Sequence, residues 1–505
     1  EIHHNVALAL QRQAPDAIPL LAYHFAQSNS REEALRYTLQ AGRKAFAEYA
    51  NFAALEYFAQ AEALAQTPTD RFEIWRRQVR VLLRLGETSA VAEKLPHGSR
   101  LAESAARDDW QAIVHLLRAD YFTQTSAWAD ALQEAQLAVQ LTEALGEDRL
   151  AWQGYLLLRG ALLRLSQPNS AQRADLDRKM QALANRLGDQ RYVIELLLTW
   201  FDEMYAESPE SAVQAAQTTL KGARELQDPV LEAECLSALV DLYMREQNLP
   251  AALEAAQLQL ERLRQIGDRR REGLTLNRVG ELMIHLGQVN EGHQMVIDAF
   301  QMLNQVGERG GAANAQLLTG IVSEYLGVYD EALSHMQRAR SIQEAINLPL
   351  EVAFTRFHIG CVHLRQGAWQ AAEAELIAAR AVFAANPRQK PYVLPLEIDA
   401  ALAIVDLGMG RYMTALERVS GMAVRLSRQQ IRGLYRPMMA ALFTARVLAE
   451  NGEAARAKQV AEHTRFALAG TFTWLHGKGW LKEYISAVWY NAELIRMLTS
   501  QSAVL

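Results

Sequence analysis

The feature that most constrains this chain is a period. An apolar residue followed by a helix-stop residue recurs at Leu145-Gly146, Leu187-Gly188, Leu226-Gln227, Ile266-Gly267, Val306-Gly307 and Ile346-Asn347, in steps of 42, 39, 40, 40 and 40 residues. Gly and Asn tolerate positive φ and end helices. Acidic residues follow several of these stops (Asp189, Asp228, Asp268, Glu308), where a carboxylate suits the positive end of the next helix. A second glycine series, Gly287, Gly327, Gly367 and Gly410, marks the middle of each unit, where the chain turns back. A third, Gly280, Gly320 and Gly360, falls inside the first helix. Glycine there costs up to about 1 kcal/mol relative to alanine, so its recurrence at one register predicts a close helix–helix approach. Alanines recur in the second helix at Ala299, Ala339 and Ala379, with Ala332 and Ala372 seven residues before the last two. Self-similarity of this period predicts stacked helix pairs.

Composition agrees with an array. At 505 residues the chain exceeds one ordinary globular core. Half of its residues are hydrophobic and helix formers dominate, so a folded, helical protein is expected. Runs with the alternation and turn signals of strands are missing. Net charge is −6 with both signs interleaved, and no basic run tracks a phosphate backbone, so no nucleic-acid partner is expected. The densest basic stretch, Arg269-Arg270-Arg271, lies beside Asp268 and Glu272 and reads as a solvated helix start. Two cysteines, Cys235 and Cys361, give no disulfide framework and point to a reducing, cytoplasmic setting. No apolar stretch is long enough for a membrane span, and no signal peptide is recognisable. A start at Glu1 rather than Met suggests a piece of a longer protein.

The order Gly, Gly seven residues on, Tyr or Trp, Ala, Ala resembles the tetratricopeptide repeat. The clearest copies are Gly320, Gly327, Tyr329, Ala332, Ala339 and Gly360, Gly367, Trp369, Ala372, Ala379. A third, Gly280, Gly287, Ala299, departs at Gly292, where alanine is usual. Tyr412 with Ala415, Tyr243 with Ala252, Phe122 with Ala131 and Ala138, Phe25 with Ala34 and Ala41, and Gly452 with Ala457 extend the series. A 40-residue period resembles an extended subtype of the commoner 34-residue form. The resemblance implies an all-α fold, a right-handed α-α superhelix of about twelve helix pairs. Pro209, Pro229, Pro250, Pro349, Pro395 and Pro437 fall where helices should begin, the position proline tolerates best. Breaks are expected at Leu95–Ser99, Ser166–Ser170, Asn386–Pro395 (a hinge) and Gly470–Gly479. They divide the chain into an irregular array over 1–170, a regular array over 171–468 and a C-terminal cap over 469–505, whose apolar face carries Trp480, Tyr484, Trp489 and Tyr490.

The N-terminal run carries a second resemblance. Ile2-His3-His4-Asn5-Val6-Ala7, Leu20-Leu21-Ala22-Tyr23-His24-Phe25, Glu33-Ala34-Leu35-Arg36-Tyr37 and Tyr49–Phe58 are similar to the junction in STAND-class signalling ATPases. In the maltose-regulator type of that class, a P-loop ATPase and a winged helix lead into tetratricopeptide repeats. This resemblance implies a sensor or regulatory module with an ATPase domain in cis, upstream. The P-loop itself is missing: the only Gly-Lys is Gly477-Lys478, followed by Gly.

No metalloprotease, nucleophile-elbow, paired-cysteine or dinucleotide motif occurs, so no enzyme activity and no cofactor are expected. His358, Cys361 and His363 share a helix, but only the first two share a face, which suits packing better than a metal. His3-His4 reads as surface, and Glu373 and Glu375 as a solvated helix face. Solenoids bind along the wall of first helices. The family's register places there Asp241 and Arg245; Asn277, Arg278, Glu281 and His285; Asn314, Leu317, Ile321 and Glu324; and Phe357, His358, Cys361 and Arg365. Amide, charge and aromatic groups together suit a protein or peptide ligand in a concave groove. Glu281 and Leu318 stand where chaperone-tail binders of the family carry a basic clamp, which disfavours that ligand. The expected function is a protein- or peptide-binding scaffold, the sensor or regulator of a larger signalling or transcription-regulating ATPase. A stand-alone protein–protein adaptor without a switch is the alternative, and an enzyme with an unrecognised site the remote one.

Overall fold

The computed structural model describes residues 1–165, 170–385 and 394–500, and among these every regular element is an α-helix. In chain order they are α1 (Ile2–Gln13), α2 (Ile18–Ala26), α3 (Arg31–Ala47), α4 (Asn51–Leu64), α5 (Pro68–Leu85), α6 (Thr88–Ala105), α7 (Asp108–Gln124), α8 (Trp128–Leu145) and α9 (Asp148–Arg164). Then follow α10 (Ser170–Leu187), α11 (Gln190–Glu207), α12 (Pro209–Glu225), α13 (Pro229–Arg245), α14 (Leu249–Ile266), α15 (Arg269–His285), α16 (Val289–Gln305), α17 (Arg309–Tyr325) and α18 (Tyr329–Ala345). The last are α19 (Pro349–Arg365), α20 (Trp369–Ala385), α21 (Leu394–Gly408), α22 (Tyr412–Ser427), α23 (Pro437–Glu450), α24 (Ala454–Ala467), α25 (Ala469–Lys478), α26 (Leu481–Ser486) and α27 (Trp489–Ser500). From α13 to α24, odd-numbered helices are the first and even-numbered helices the second of each pair.

Local chemistry sets these boundaries. The stops at Gly146, Gly188, Gln227, Gly267, Gly307 and Asn347 all have positive φ, between 53° and 73°. The turns at Gly287, Gly327, Gly367 and Gly410 also have positive φ, between 72° and 86°. Asp228 accepts the Val230 and Leu231 N–H groups at 3.0 and 3.1 Å and caps α13, whose first residue is Pro229. Asp268 and Asp189 accept N–H groups of Arg271 and Arg191 in the same way, both at 2.9 Å. The glycines inside first helices are points of contact between helices. A Cβ on Gly320 would stand 2.7 Å from Met336 Cγ, and one on Gly360 2.7 Å from Leu376 Cγ. Ala299, Ala332, Ala339, Ala372 and Ala379 are all fully buried.

The break expected at Leu95–Ser99 does not occur: α6 runs through it with Pro96 inside. Proline removes one backbone donor from a helix. The Trp75 indole also packs onto this stretch from α5, and its N–H donates to Lys94 O at 2.8 Å. Gly98 makes room for that indole, because a Cβ there would lie 2.0 Å from Trp75 Cζ2. Most of the segments at Ser166–Ser170 and Asn386–Pro395 lies outside the described residues; Ser170 opens α10 and Pro395 lies in the first turn of α21.

Two compact units divide the chain. One gathers Glu1–Tyr192, Leu263–Arg271 and Gln305–Glu308; the other gathers Val193–Arg262, Glu272–Asn304 and Arg309–Leu505. In the first unit, Phe72 stacks on Trp110 with ring centroids 4.2 Å apart, and Phe25 stacks on Tyr37 at 5.2 Å. His3 lies 2.9 Å from His24 through their Nδ1 atoms, and His4 bonds Ser30 Oγ at 2.7 Å. The second unit has a long apolar core in which Ile321, Phe357, Ile398 and Met439 pack with Val488, Tyr490 and Leu494 of the C-terminal region. Leu236, Leu239 and Leu282 pack in the same unit with Leu475 and Tyr484. Among the described residues, no helix is long and apolar enough to cross a membrane.

Candidate functional site

The first helices α13, α15, α17 and α19 carry the residues expected to face a ligand, all in the second unit. On α13, Asp241 is exposed and pairs with Arg278 at 3.2 Å, and Arg245 pairs with Asp202 at 2.6 Å. On α15, Asn277 is buried and donates to Gly311 O of α17 at 2.8 Å, so its amide joins adjacent first helices. Asn314 is half-buried. Leu317, Ile321, Phe357 and Cys361 are core residues, each at most 1% exposed. Burial raises the Cys361 thiol well above its ordinary pKa, and neither cysteine forms a disulfide.

The remaining candidates meet the chain's own C-terminal part. Two segments lie against them. The first is the turn from Ile431 to Arg436, which leads into α23. Its Gly433 N–H donates to Arg245 O at 2.8 Å, and Gln247 Nε2 donates to Leu434 O. The Tyr435 and Arg436 N–H groups donate to the two Glu397 carboxylate oxygens at 2.9 and 2.7 Å. Tyr435 OH donates to Glu281 Oε1 at 3.2 Å. The Tyr435 ring stands edge-on to His285, Phe354 and His358, with centroids 4.9, 4.9 and 5.9 Å away. The second segment is the strap of α25, α26 and α27. Its Trp489 indole N–H donates to Glu324 Oε1 at 3.1 Å, and the Arg365 guanidinium lies 4.0 Å from that ring. Arg365 also donates to Tyr329 OH at 3.0 Å. Tyr490 OH and Tyr325 OH share a 2.9 Å hydrogen bond. At Gly287 the strap passes so close that a Cβ would lie 2.3 Å from Tyr484 Cα.

Where the two segments meet, Arg436 is buried with its guanidinium between Tyr325, Tyr435 and Tyr490, 5.5, 5.5 and 5.7 Å from their centroids. Its nearest carboxylate oxygen, Glu324 Oε2, is 4.0 Å away, and none of its three nitrogens makes a hydrogen bond among the described residues. Burial pushes the Glu324 carboxyl upward, with Arg436 opposing. Burial also pushes Glu397 up to about 7, against the two N–H groups it accepts. His285 is pushed down to about 3 by burial and then by Arg436, and His358 falls well below its ordinary value for the same reasons. Both imidazoles are therefore neutral at pH 7. Among the described residues no group of three metal-ligating side chains comes together.

Tyr435, Arg436, Glu397, Trp489 and Tyr490 were not among the residues the repeat register assigns to the groove. Trp489 and Tyr490 carried a signal, the aromatic cluster near the C terminus, but not an address. Arg436 and Glu397 carried none, because a lone charged residue in an apolar helix pattern is unremarkable in sequence.

No family model matches this chain, and no curated protein matches it. Solved structures do. A Rap protein complexed with competence and sporulation factor aligns with 69% of this chain and 98% of its own, at 15% identity and a TM-score of 0.48. The Cut9–Hcn1 hetero-tetramer of APC/C aligns with 93% of this chain and 97% of its own, at 14% identity and 0.40. A STAND protein with a tetratricopeptide repeat sensor from Pyrococcus horikoshii aligns with 93% of this chain and 74% of its own, at 15% identity and 0.39. The register of glycines, alanines and aromatic residues, laid on the observed helix pairs, is that of an all-α tetratricopeptide-type repeat array.

Proposed function

We propose that this chain is a scaffold that binds a protein or peptide along the first helices α13 to α19, and that it acts without catalysis of its own. One observation carries the reading. The turn Ile431–Arg436 is held at this face and its borders through its main chain, with Arg245 O of α13 accepting from Gly433, Gln247 of the turn after α13 donating to Leu434 O, and Glu397 of α21 accepting from Tyr435 and Arg436. Main-chain hydrogen bonds with a side-chain pocket alongside are how extended peptides are recognised. The regular array over 171–468 would supply the face and the segment 469–505 its cover. The test is capture from a peptide library by the intact chain, compared with Arg245→Glu, Arg278→Glu and Arg365→Glu. Loss of capture in all three is expected. Capture unchanged in all three would remove the ligand from this face.

The finer reading makes this scaffold the sensor arm of a signalling ATPase, with the ATPase domain in cis. The N-terminal resemblance supports it, through the run from Ile2 to Phe58. It requires ligand affinity to differ between the ADP- and ATP-loaded states of the longer protein, since coupling is reciprocal. Equal affinities in the two states would leave an adaptor without a switch.

A further inference from the structure

The strap is bound by more than an end cover requires. An array end needs only an apolar face to be covered. The seat of Trp489 and Tyr490 does more, because it is polar and directional. Glu324 accepts the indole N–H at 3.1 Å, Arg365 covers the indole face at 4.0 Å, and Tyr325 meets the Tyr490 hydroxyl at 2.9 Å. Phe443 of α23 closes the far side, 6.1 Å from the Trp489 ring. The seat is thus built from side chains of three helices, α17, α19 and α23. Val488 and Leu494 are fully buried beside it, so the seated element reads apolar-Trp-Tyr-x-x-x-Leu, with Val488 just before α27 and Trp489 and Tyr490 opening it.

The strap itself is made of short pieces. Its helices α25, α26 and α27 have 10, 6 and 12 residues. Isolated helices of that length are marginal in water, so the seat supplies most of their order. Trp489 is only half-buried, so the indole is reached from solvent without first opening the core.

Resting on the peptide-binding reading above, we infer that this seat is a recognition site for an amphipathic helix bearing an adjacent Trp-Tyr pair, presented by a partner protein, and that the chain's own strap is its resident competitor. Glu324 selects the indole through its N–H, Arg365 selects for an aromatic face, and Tyr325 selects the phenol. A tethered occupant acts at an effective concentration on the order of millimolar. With an intrinsic dissociation constant of about 10 µM for the strap's own segment, any partner helix would then be masked about 100-fold until the strap lifts. Strap release, not a change in the array, sets the apparent affinity.

The experiment uses the whole chain and a fluorescein-labelled synthetic peptide of residues 481–500 as the probe, read by anisotropy. Trp489→Ala in the chain weakens the resident strap and leaves the seat intact. It is expected to take up the probe at least 10-fold more tightly than wild type. Replacing the probe's Trp and Tyr by Ala is expected to abolish the gain. Equal uptake by wild type and Trp489→Ala, or uptake indifferent to the probe's aromatic pair, overturns the proposal. Hydrogen exchange on the wild-type chain gives a second reading that no variant can confound. Amides of 481–494 are expected to exchange at least 10-fold faster than those of α23. If they match α23 while library peptides are still captured through Arg245 and Arg278, the strap is a fixed cover, this inference falls, and the peptide-binding reading stands.

Discussion

Gly292→Ala is the substitution that the repeat pattern recommends and the structure forbids. Alanine is the usual residue at this point of the second helix, and glycine-to-alanine in a helix interior gains about 1 kcal/mol. Here, however, α15 and α16 touch through Gly280 and Gly292. A Cβ on Gly292 would lie 2.7 Å from the Gly280 carbonyl oxygen and 3.0 Å from the Ile284 nitrogen. Ordinary contact begins at 3.4 Å, so the Gly280 oxygen is short by about 0.7 Å. Both atoms are backbone, and neither can swing aside. Overpacking of this kind costs about 1–3 kcal/mol. Subtracting the propensity gain leaves a net loss of about 1 kcal/mol. Gly160, in α9, is the control: nothing stands within 4 Å of its Cβ position, so Gly160→Ala should stabilise by nearly the full ~1 kcal/mol. The two substitutions should differ by about 2 kcal/mol with opposite signs. Native-state hydrogen exchange measures each helix separately. Exchange should speed up in α15 and α16 for Gly292→Ala and slow down in α9 for Gly160→Ala. Slower exchange in both variants would refute the claim that backbone contact fixes glycine at 292.

Three further outcomes are expected. Gly320→Ala should also speed exchange, but less than Gly292→Ala, because its closest contact is a side-chain atom, Met336 Cγ at 2.7 Å, and its closest backbone atom, Ala332 O, stands at 3.0 Å. Glu324→Gln should lower stability by about 3–5 kcal/mol, since it strands the buried Arg436 charge; Arg436→Met should cost less, because Glu324 can take up a proton. Urea midpoints followed by tryptophan fluorescence check the order, and a larger loss for Arg436→Met would contradict it. Glu397 has a folded pKa of about 7, raised above its ordinary 4.5, so the stability it contributes is complete below 4.5 and is lost as pH rises through 7. At about 1.4 kcal/mol per tenfold change that is on the order of 3 kcal/mol. The difference in unfolding midpoint between wild type and Glu397→Gln should therefore vary with pH between 4.5 and 7 and level off above; a pH-independent difference would show that Glu397 is ionised throughout.

Helix boundaries were legible because their causes are local. A positive φ at Gly267 or Asn347, a cap at Asp228 and a proline at position 229 act within one turn, and each is written in adjacent residues. Close packing at Gly320 and Gly360 was legible too, because the repeat states the same contact more than once. Pro96 was misread for the complementary reason. The rule that proline breaks a helix is local, whereas the packing around this stretch, with the Trp75 indole bonded to Lys94 O and lying against Gly98, comes from another helix.

The repeat register put Glu281, His285, Glu324, His358 and Arg365 on first helices, and they lie on α15, α17 and α19. It said nothing of what faces them, since Tyr435 lies 154 residues from Glu281, and Trp489 165 residues from Glu324. By itself, then, the sequence determined the helices, their pairing and the small residues that let them nest, because a repeat encodes neighbour contacts in every copy. Only the tertiary structure decided that the first-helix face of the second unit is covered by the chain's own turn and strap. That contact is made once, between non-repeating segments, and no period in the sequence records it.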